Sequence, residues 1–202
     1  MNQTLILYNV ISGSLWGFVL FNFLSTALLF DQPELFQLTY KWTTAVQCLA
    51  VIEIFNSAVG IVRSPLFTTA LQVSSRLLIV LGVWWIHPES SGNYTLFYST
   101  VHLAWGITEI IRYYYYALNL IGNIPAWLEF LRYNAFIVLY PLGITSECAM
   151  VYQLLPTVKG HWSYWFYVVV LAVYVPGTFV LFSHMLSQRR KKGKPTPRPK
   201  SL

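Results

Sequence analysis

Charge is what this sequence lacks most. Of 202 residues only 10% are Asp, Glu, Lys or Arg, against roughly 25% in ordinary soluble domains. Hydrophobic residues make up 56% and aromatics 17%. Such a composition excludes a water-soluble domain and points to an integral membrane protein. Cysteine is nearly absent: Cys48 and Cys148 lie in apolar stretches without CxxC or metal-like spacing, and read as small buried residues. Neither is followed six positions later by arginine, so a cysteine phosphatase loop is missing. The four histidines, His87, His102, His161 and His184, form no HxxxH, HxxHH or HExxH pattern, so no metal site is implied. With neither GxGxxG nor a Walker loop, no nicotinamide or nucleotide cofactor is implied either. A cleavable signal peptide is not expected: the first apolar run is too long and lacks a basic flank.

What is present is a series of six apolar stretches, near 5–30, 43–61, 66–86, 95–118, 126–150 and 162–186. Each is long enough for the ~20 residues a bilayer requires. The breaks carry turn punctuation, such as Ser64-Pro65, Pro88 with Ser90-Ser91-Gly92-Asn93, and Gly122-Asn123-Ile124-Pro125. The expectation is an all-α integral membrane bundle of six transmembrane helices occupying residues 1–187, followed by a basic, Pro-containing disordered tail over 188–202. Arg189, Arg190, Lys191, Lys192, Lys194, Arg198 and Lys200 supply most of the net charge of +6. A basic tail beside a last span marks the cytosolic side and touches anionic lipid; nucleic-acid binding is the poorer reading. An even span count then puts both termini in the cytosol. Arg63, Arg112 and Arg132 flank cytosolic loops, and Lys41 and Lys159 fall on the far side.

Trp84, Trp85, Trp162 and Trp165 are expected as a far-side aromatic belt, and Tyr113 to Tyr116 with Trp127 as a cytosolic one. Asn93-Tyr94-Thr95 is a glycosylation sequon too close to a span to be modified, and Asn2-Gln3-Thr4 is a second match on the wrong side. Arg198 and Lys200, fifth and third from the end, are similar to a dibasic retrieval signal.

Polar residues inside the spans are informative because hydrocarbon offers them no partner. Glu53 lies in the second stretch, Gln72 and Arg76 in the third, and Glu109 with Arg112, spaced to pair on one helix face, in the fourth. The fifth carries the segment 132–147, where Tyr140 and Glu147 stand seven apart, within ~20° of one face and ~10 Å apart along the axis. One substrate fits between them. Pro141 removes a helical hydrogen bond and is expected to kink the helix, with Gly143 opening room beside the phenol. Against this stands a packing role for the same residues, in a catalytically inactive membrane scaffold or small-molecule carrier.

The chain resembles the very-long-chain (3R)-3-hydroxyacyl-CoA dehydratase family, once labelled protein-tyrosine-phosphatase-like, over nearly its full length. The matching residues are Ile52-Glu53-Ile54, Gly60-Ile61-Val62-Arg63-Ser64-Pro65, Gln72-Val73-Ser74-Ser75-Arg76, Thr108-Glu109-Ile110-Ile111-Arg112-Tyr113, Arg132-Tyr133 and Leu139-Tyr140-Pro141-Leu142-Gly143-Ile144-Thr145-Ser146-Glu147. The resemblance implies a multi-pass enzyme of the endoplasmic-reticulum membrane catalysing the third step of fatty-acid elongation. Its substrate would be a long-chain 3-hydroxyacyl-CoA, with other elongation enzymes as partners and no cofactor. It implies catalysis by Tyr140 and Glu147, with Glu53, Gln72, Arg76, Glu109, Arg112, Arg132 and Gly143 supporting. Two residues depart from the family pattern, Asn56 where many members carry histidine and Gly106 where serine is common.

Dehydration needs a base for the proton beside the thioester and an acid for the departing hydroxyl. Glu147 is the better base and Tyr140, neutral at pH 7, the better acid, although the roles are open to reversal. Backbone N–H groups near Pro141 and Gly143, or the hydroxyls of Thr145 and Ser146, are candidates to stabilise the developing oxyanion. Arg63, Arg112 and Arg132 either bind CoA phosphates or mark the inside. Tyr140 falls near mid-membrane with Glu147 deeper, so a wide cytosolic cavity is required.

Overall fold

The structure, a computed structural model, describes residues 3–62 and 65–192. Arg63, the Asn2 sequon and the tail residues Arg198 and Lys200 lie outside the described residues. Among the described residues there is no strand. The helices fall into six runs. These are α1 (Gln3–Ala27); α2 (Glu34–Cys48) with α3 (Val51–Ala58); α4 (Leu66–Leu77), continued by a π-helix (Leu78–Trp85); α5 (Leu96–Ile121), preceded by a 3-10 turn (Ser91–Tyr94); α6 (Ala126–Asn134) with α7 (Phe136–Leu154); and α8 (Trp162–Lys192). Among the described residues four helices are long and apolar enough to cross a membrane: Gln3–Ala27, Leu66–Trp85, Phe136–Leu154 and Trp162–Arg190. α8 passes the expected boundary at residue 187 and stays helical to Lys192.

The punctuation acts locally as its chemistry demands. Gly122 closes α5 in the left-handed conformation, φ 83°, with its N–H on the carbonyls of Leu118 and Asn119, and Pro125 starts α6 from an extended backbone. Pro141, by contrast, does not interrupt its rod. α7 runs through it, and the break falls at Ala135, between α6 and α7. At the sixth position of the helix proline forfeits one bond, to the carbonyl of Ile137, and the neighbouring turns keep theirs.

α5 sits at the centre, packed against α1, α6 and α7, whereas α8 packs chiefly against α7 and α6. One end of the bundle is filled. Phe23, Phe36, Trp84, Tyr98, Met150, Val151 and Leu154 are buried there. His102 lies between the rings of Phe23 and Trp84, with centroids 4.6 and 5.2 Å away. Its ring nitrogens meet Thr43 Oγ1 at 2.9 Å and the Tyr98 carbonyl at 3.0 Å. That histidine is core.

The belts are thinner than expected. Trp84 is fully buried, while Trp85, Trp162 and Trp165 remain exposed. Tyr113 and Tyr115 are buried as well, leaving Tyr116 and Trp127 exposed on the other side. Trp84 turns inward because it sits in the π-helix, where Ile86 N–H bonds the carbonyl of Leu81, five residues back. The wider winding breaks the 3.6-residue period. Both cysteines are free and half-buried rather than buried. Asn93 is buried and its amide donates to the carbonyls of His87 and Pro88, so its side chain is committed to the fold.

Candidate active site

The other end of the bundle is hollow. A cavity of about 640 Å³ runs from Asn119, Arg132, His184 and Gln188 at the ends of α5, α6 and α8 down to Trp105 and Glu147. On α8 its lining extends from Gln188 to Phe166, ~33 Å at 1.5 Å per residue and close to the ~30 Å of a bilayer core. Tyr140, Glu147, Glu53, Gln72, Arg76, Glu109, Arg112, Arg132 and Gly143 all line it. Residues from four of the six runs are thereby brought to one space, and α1 and α8 complete its lining.

Glu147 is 5% exposed. Trp105 Nε1 on α5 donates to its Oε1 at 2.9 Å, and the Tyr174 hydroxyl on α8 donates to its Oε2 at 3.0 Å. Each carboxylate oxygen thus holds one neutral donor, and each retains a lone pair for a substrate proton. Tyr140 is half-buried and stacked on Phe182, with ring centroids 5.7 Å apart. Its hydroxyl reaches the Thr178 carbonyl at a long 3.4 Å. Since Tyr174 and Thr178 are one turn apart, the phenol and the carboxylate meet α8 at points ~6 Å apart along its axis. The weak bond on the phenol leaves its proton available.

Gly143 lies between them on α7, and a Cβ there would stand 3.5 Å from Ala104 Cβ, so the glycine widens the cavity without being forced by a clash. Thr145 and Ser146 do not take part. Their hydroxyls donate to the carbonyls of Pro141 and Leu142, both at 2.7 Å, and Ser146 also meets Thr100 on α5 at 2.6 Å. Side-chain hydroxyls on a helix find the carbonyl one turn back unless something better is near, and neither lines the cavity.

Above the carboxylate the charges form one chain. Arg76 on α4 pairs with Glu109 on α5, Glu109 pairs with Arg112 one turn on, and Arg112 makes a bidentate bond to Glu53 on α3 at 2.8 and 2.6 Å. The Tyr113 hydroxyl also donates to Glu53. Two cations balance two anions, and Glu109 is 1% exposed. The expected Glu109–Arg112 pair is therefore one link in a brace tying α3, α4 and α5 together. Arg112, bonded to Glu53 and paired with Glu109, is a member of that brace. Arg76 also lies over the Trp105 ring, 5.3 Å from its centroid, which links the brace to Glu147. Arg132 stands apart at the mouth, bonded to the Tyr116 hydroxyl at 3.2 Å. Gln72 lines the wall between these levels.

Sequence reasoning missed Trp105 and Tyr174. The one signal for Tyr174 was a phenol in the middle of an aliphatic span; Trp105 carried none. Among the described residues no group of three or more His, Cys, Asp or Glu is placed to hold a metal ion.

The family model described as "Protein tyrosine phosphatase-like protein, PTPLA" matches residues 47–195. The chain is 41% identical to a protein of Schizosaccharomyces pombe named "Probable very-long-chain (3R)-3-hydroxyacyl-CoA dehydratase", over 95% of this chain and 93% of that one. It is 34% identical to the very-long-chain (3R)-3-hydroxyacyl-CoA dehydratase PASTICCINO 2 of Arabidopsis thaliana, over 93% and 91% of the two chains. To a very-long-chain (3R)-3-hydroxyacyl-CoA dehydratase of Caenorhabditis elegans it is 32% identical, over 93% of each. No solved structure matches the chain.

Proposed function

The chain belongs to the protein tyrosine phosphatase-like family, PTPLA, and from that premise we propose that it is a very-long-chain (3R)-3-hydroxyacyl-CoA dehydratase. It is a hydro-lyase of fatty-acid elongation. The observation that carries the reaction is a buried carboxylate held by two neutral donors, with a loosely bonded phenol facing the same cavity.

In this reading Glu147 removes the C2 proton of the 3-hydroxyacyl thioester, and the electron pair moves towards the carbonyl. The C3–O bond then breaks, Tyr140 gives its proton to the departing hydroxyl, and water and the trans-2-enoyl thioester result. The proton on Glu147 returns to Tyr140 through water, which restores both groups. Trp105 and Tyr174 fix the plane of the carboxylate. Arg76, over Trp105, supplies positive charge at this level as the thioester oxygen becomes negative.

The membrane arrangement follows the six helical runs: six spans, both termini cytosolic, in the endoplasmic-reticulum membrane. The wide mouth at Asn119, Arg132, His184 and Gln188 then faces the cytosol. It admits the CoA arm, with Arg132 available to its phosphates. This supplies the deep cytosolic cavity that the position of Tyr140 and Glu147 requires. Other elongation enzymes are the natural partners, since they make the substrate and consume the product. The test is turnover of long-chain 3-hydroxyacyl-CoA to the trans-2-enoyl product by the purified protein. Inactivity on every chain length would leave the scaffold reading.

A further inference from the structure

Below the level of Glu147 the cavity does not end; an apolar limb continues it. Its walls there are Leu78 at the start of the π-helix and Phe166, Val169, Val170 and Val173 of α8. α7 contributes nothing below Glu147, because Met150, Val151 and Leu154 turn into the filled core. The limb therefore lies along the seam between α8 and the rod formed by α4 and the π-helix. Across that seam α8 reaches with two tyrosine hydroxyls seven residues apart. Tyr174 approaches the Ser75 carbonyl at 3.5 Å, and Tyr167 donates to the Gly82 carbonyl at 2.8 Å. Gly82 allows the lower contact, since a Cβ there would stand 3.2 Å from the Tyr167 hydroxyl.

From these features we infer that the limb binds the proximal part of the acyl chain and that the remainder of the chain leaves sideways, between the two tyrosine struts, into the bilayer. This rests on the dehydratase reading. Three observations favour an acyl chain over any other occupant. The limb is continuous with Glu147, where the chain is tethered by its thioester. It carries no charged side chain, whereas the opposite mouth carries Arg132 and His184, so the two ends of an acyl-CoA match the two ends of the cavity. Size supplies the third. From Tyr174 to Phe166 is ~12 Å, room for about ten carbons at ~1.2 Å per extended bond. A chain of twenty or more cannot end there, and 640 Å³ is the volume that encloses a drug-sized ligand, not an acyl-CoA several times larger. Val169 and Phe166, 59% and 48% exposed, stand on the side where the seam opens.

The enzyme on this account senses the first ten or so carbons and is indifferent to length beyond them. The test compares 3-hydroxybutyryl-CoA, 3-hydroxydecanoyl-CoA and 3-hydroxyoctadecanoyl-CoA with purified wild type and Val170→Trp. The indole fills the limb, so Val170→Trp should lower kcat/KM on the ten- and eighteen-carbon substrates at least tenfold more than on the four-carbon one. Wild-type KM should be nearly equal for ten and eighteen carbons. An equal loss on all lengths, or no loss on any, would overturn the assignment of the limb. A second measurement needs no variant. An eighteen-carbon substrate with a diazirine near its ninth carbon should label peptides within 74–85 or 166–174, competed by unlabelled substrate. Labelling confined to α2 or α6 would refute it. Wild-type inactivity on all three substrates would instead defeat the dehydratase reading itself.

Discussion

Replacing Arg112 with methionine removes the residue that joins both carboxylates of the charged brace. Glu53 loses two bonds, at 2.8 and 2.6 Å, and keeps the Tyr113 hydroxyl; Glu109 keeps Arg76. Four charges that sum to zero become three that sum to minus one, at side chains no more than about a fifth exposed. Breaking a buried pair from one side costs about 3–5 kcal/mol, and a chain of this size loses about 2–4 °C per kcal/mol. The apparent melting temperature should therefore fall by on the order of 10 °C. Adding Glu53→Gln to Arg112→Met removes the stranded charge and should recover part of the loss, so the double variant is more stable than the single one. Heating the detergent-solubilised variants and measuring the surviving monodisperse peak by size exclusion reads both. Additive losses would refute the brace, because independent sites add. A stable Arg112→Met with a raised KM for acyl-CoA would return Arg112 to phosphate binding.

Tyr140→Phe and Glu147→Gln should each keep the thermal stability near wild type while lowering kcat by about 10²–10⁴. The double variant should be hardly worse than the poorer single one, since groups acting as a unit are non-additive. Tyr174→Phe and Trp105→Phe each remove one donor to an ionised oxygen, worth about 1.5–3 kcal/mol. They should lower kcat roughly ten- to hundredfold with KM little changed, and neither should lower it further on a Glu147→Gln background. Tags at both termini should be protease-accessible in sealed microsomes; protection until detergent is added would invert the topology. Changing Arg198 and Lys200 together to serine should release some protein from the endoplasmic reticulum, read by microscopy, and unchanged residence would assign retention to the spans.

The gross architecture was legible because a bilayer dictates it. Long apolar runs and Pro/Gly punctuation set the six helical runs, and the ionisable residues inside them, having no lipid partner, turned to one interior. What was not legible depends on contacts between distant helices. Nothing local marks Trp105 and Tyr174 as the donors on Glu147, since their partner lies on another helix in each case. The same holds for the extension of the Glu109–Arg112 pair to Arg76 and Glu53. Thr145 and Ser146 misled for the opposite reason: proximity in sequence suggested a role, and the helix's own carbonyls absorbed their hydroxyls. Pro141 lies inside α7, which stays helical through it, and the break between helices falls six residues earlier, at Ala135.

The π-helix from Leu78 to Trp85 has a consequence for how this chain tolerates insertion and deletion. A π turn is an α turn carrying a surplus residue, so losing one residue between 78 and 85 need not shorten the rod by disrupting it; the segment could rewind as regular α-helix. The turns on either side would keep their phase, because the wider winding is what takes up the extra residue. A deletion within α4, whose turns carry no surplus, would instead rotate everything beyond it by ~100°, swinging the Trp84 indole off the His102 ring and carrying the Gly82 carbonyl away from Tyr167. The π segment is thus where this rod tolerates the loss of a residue.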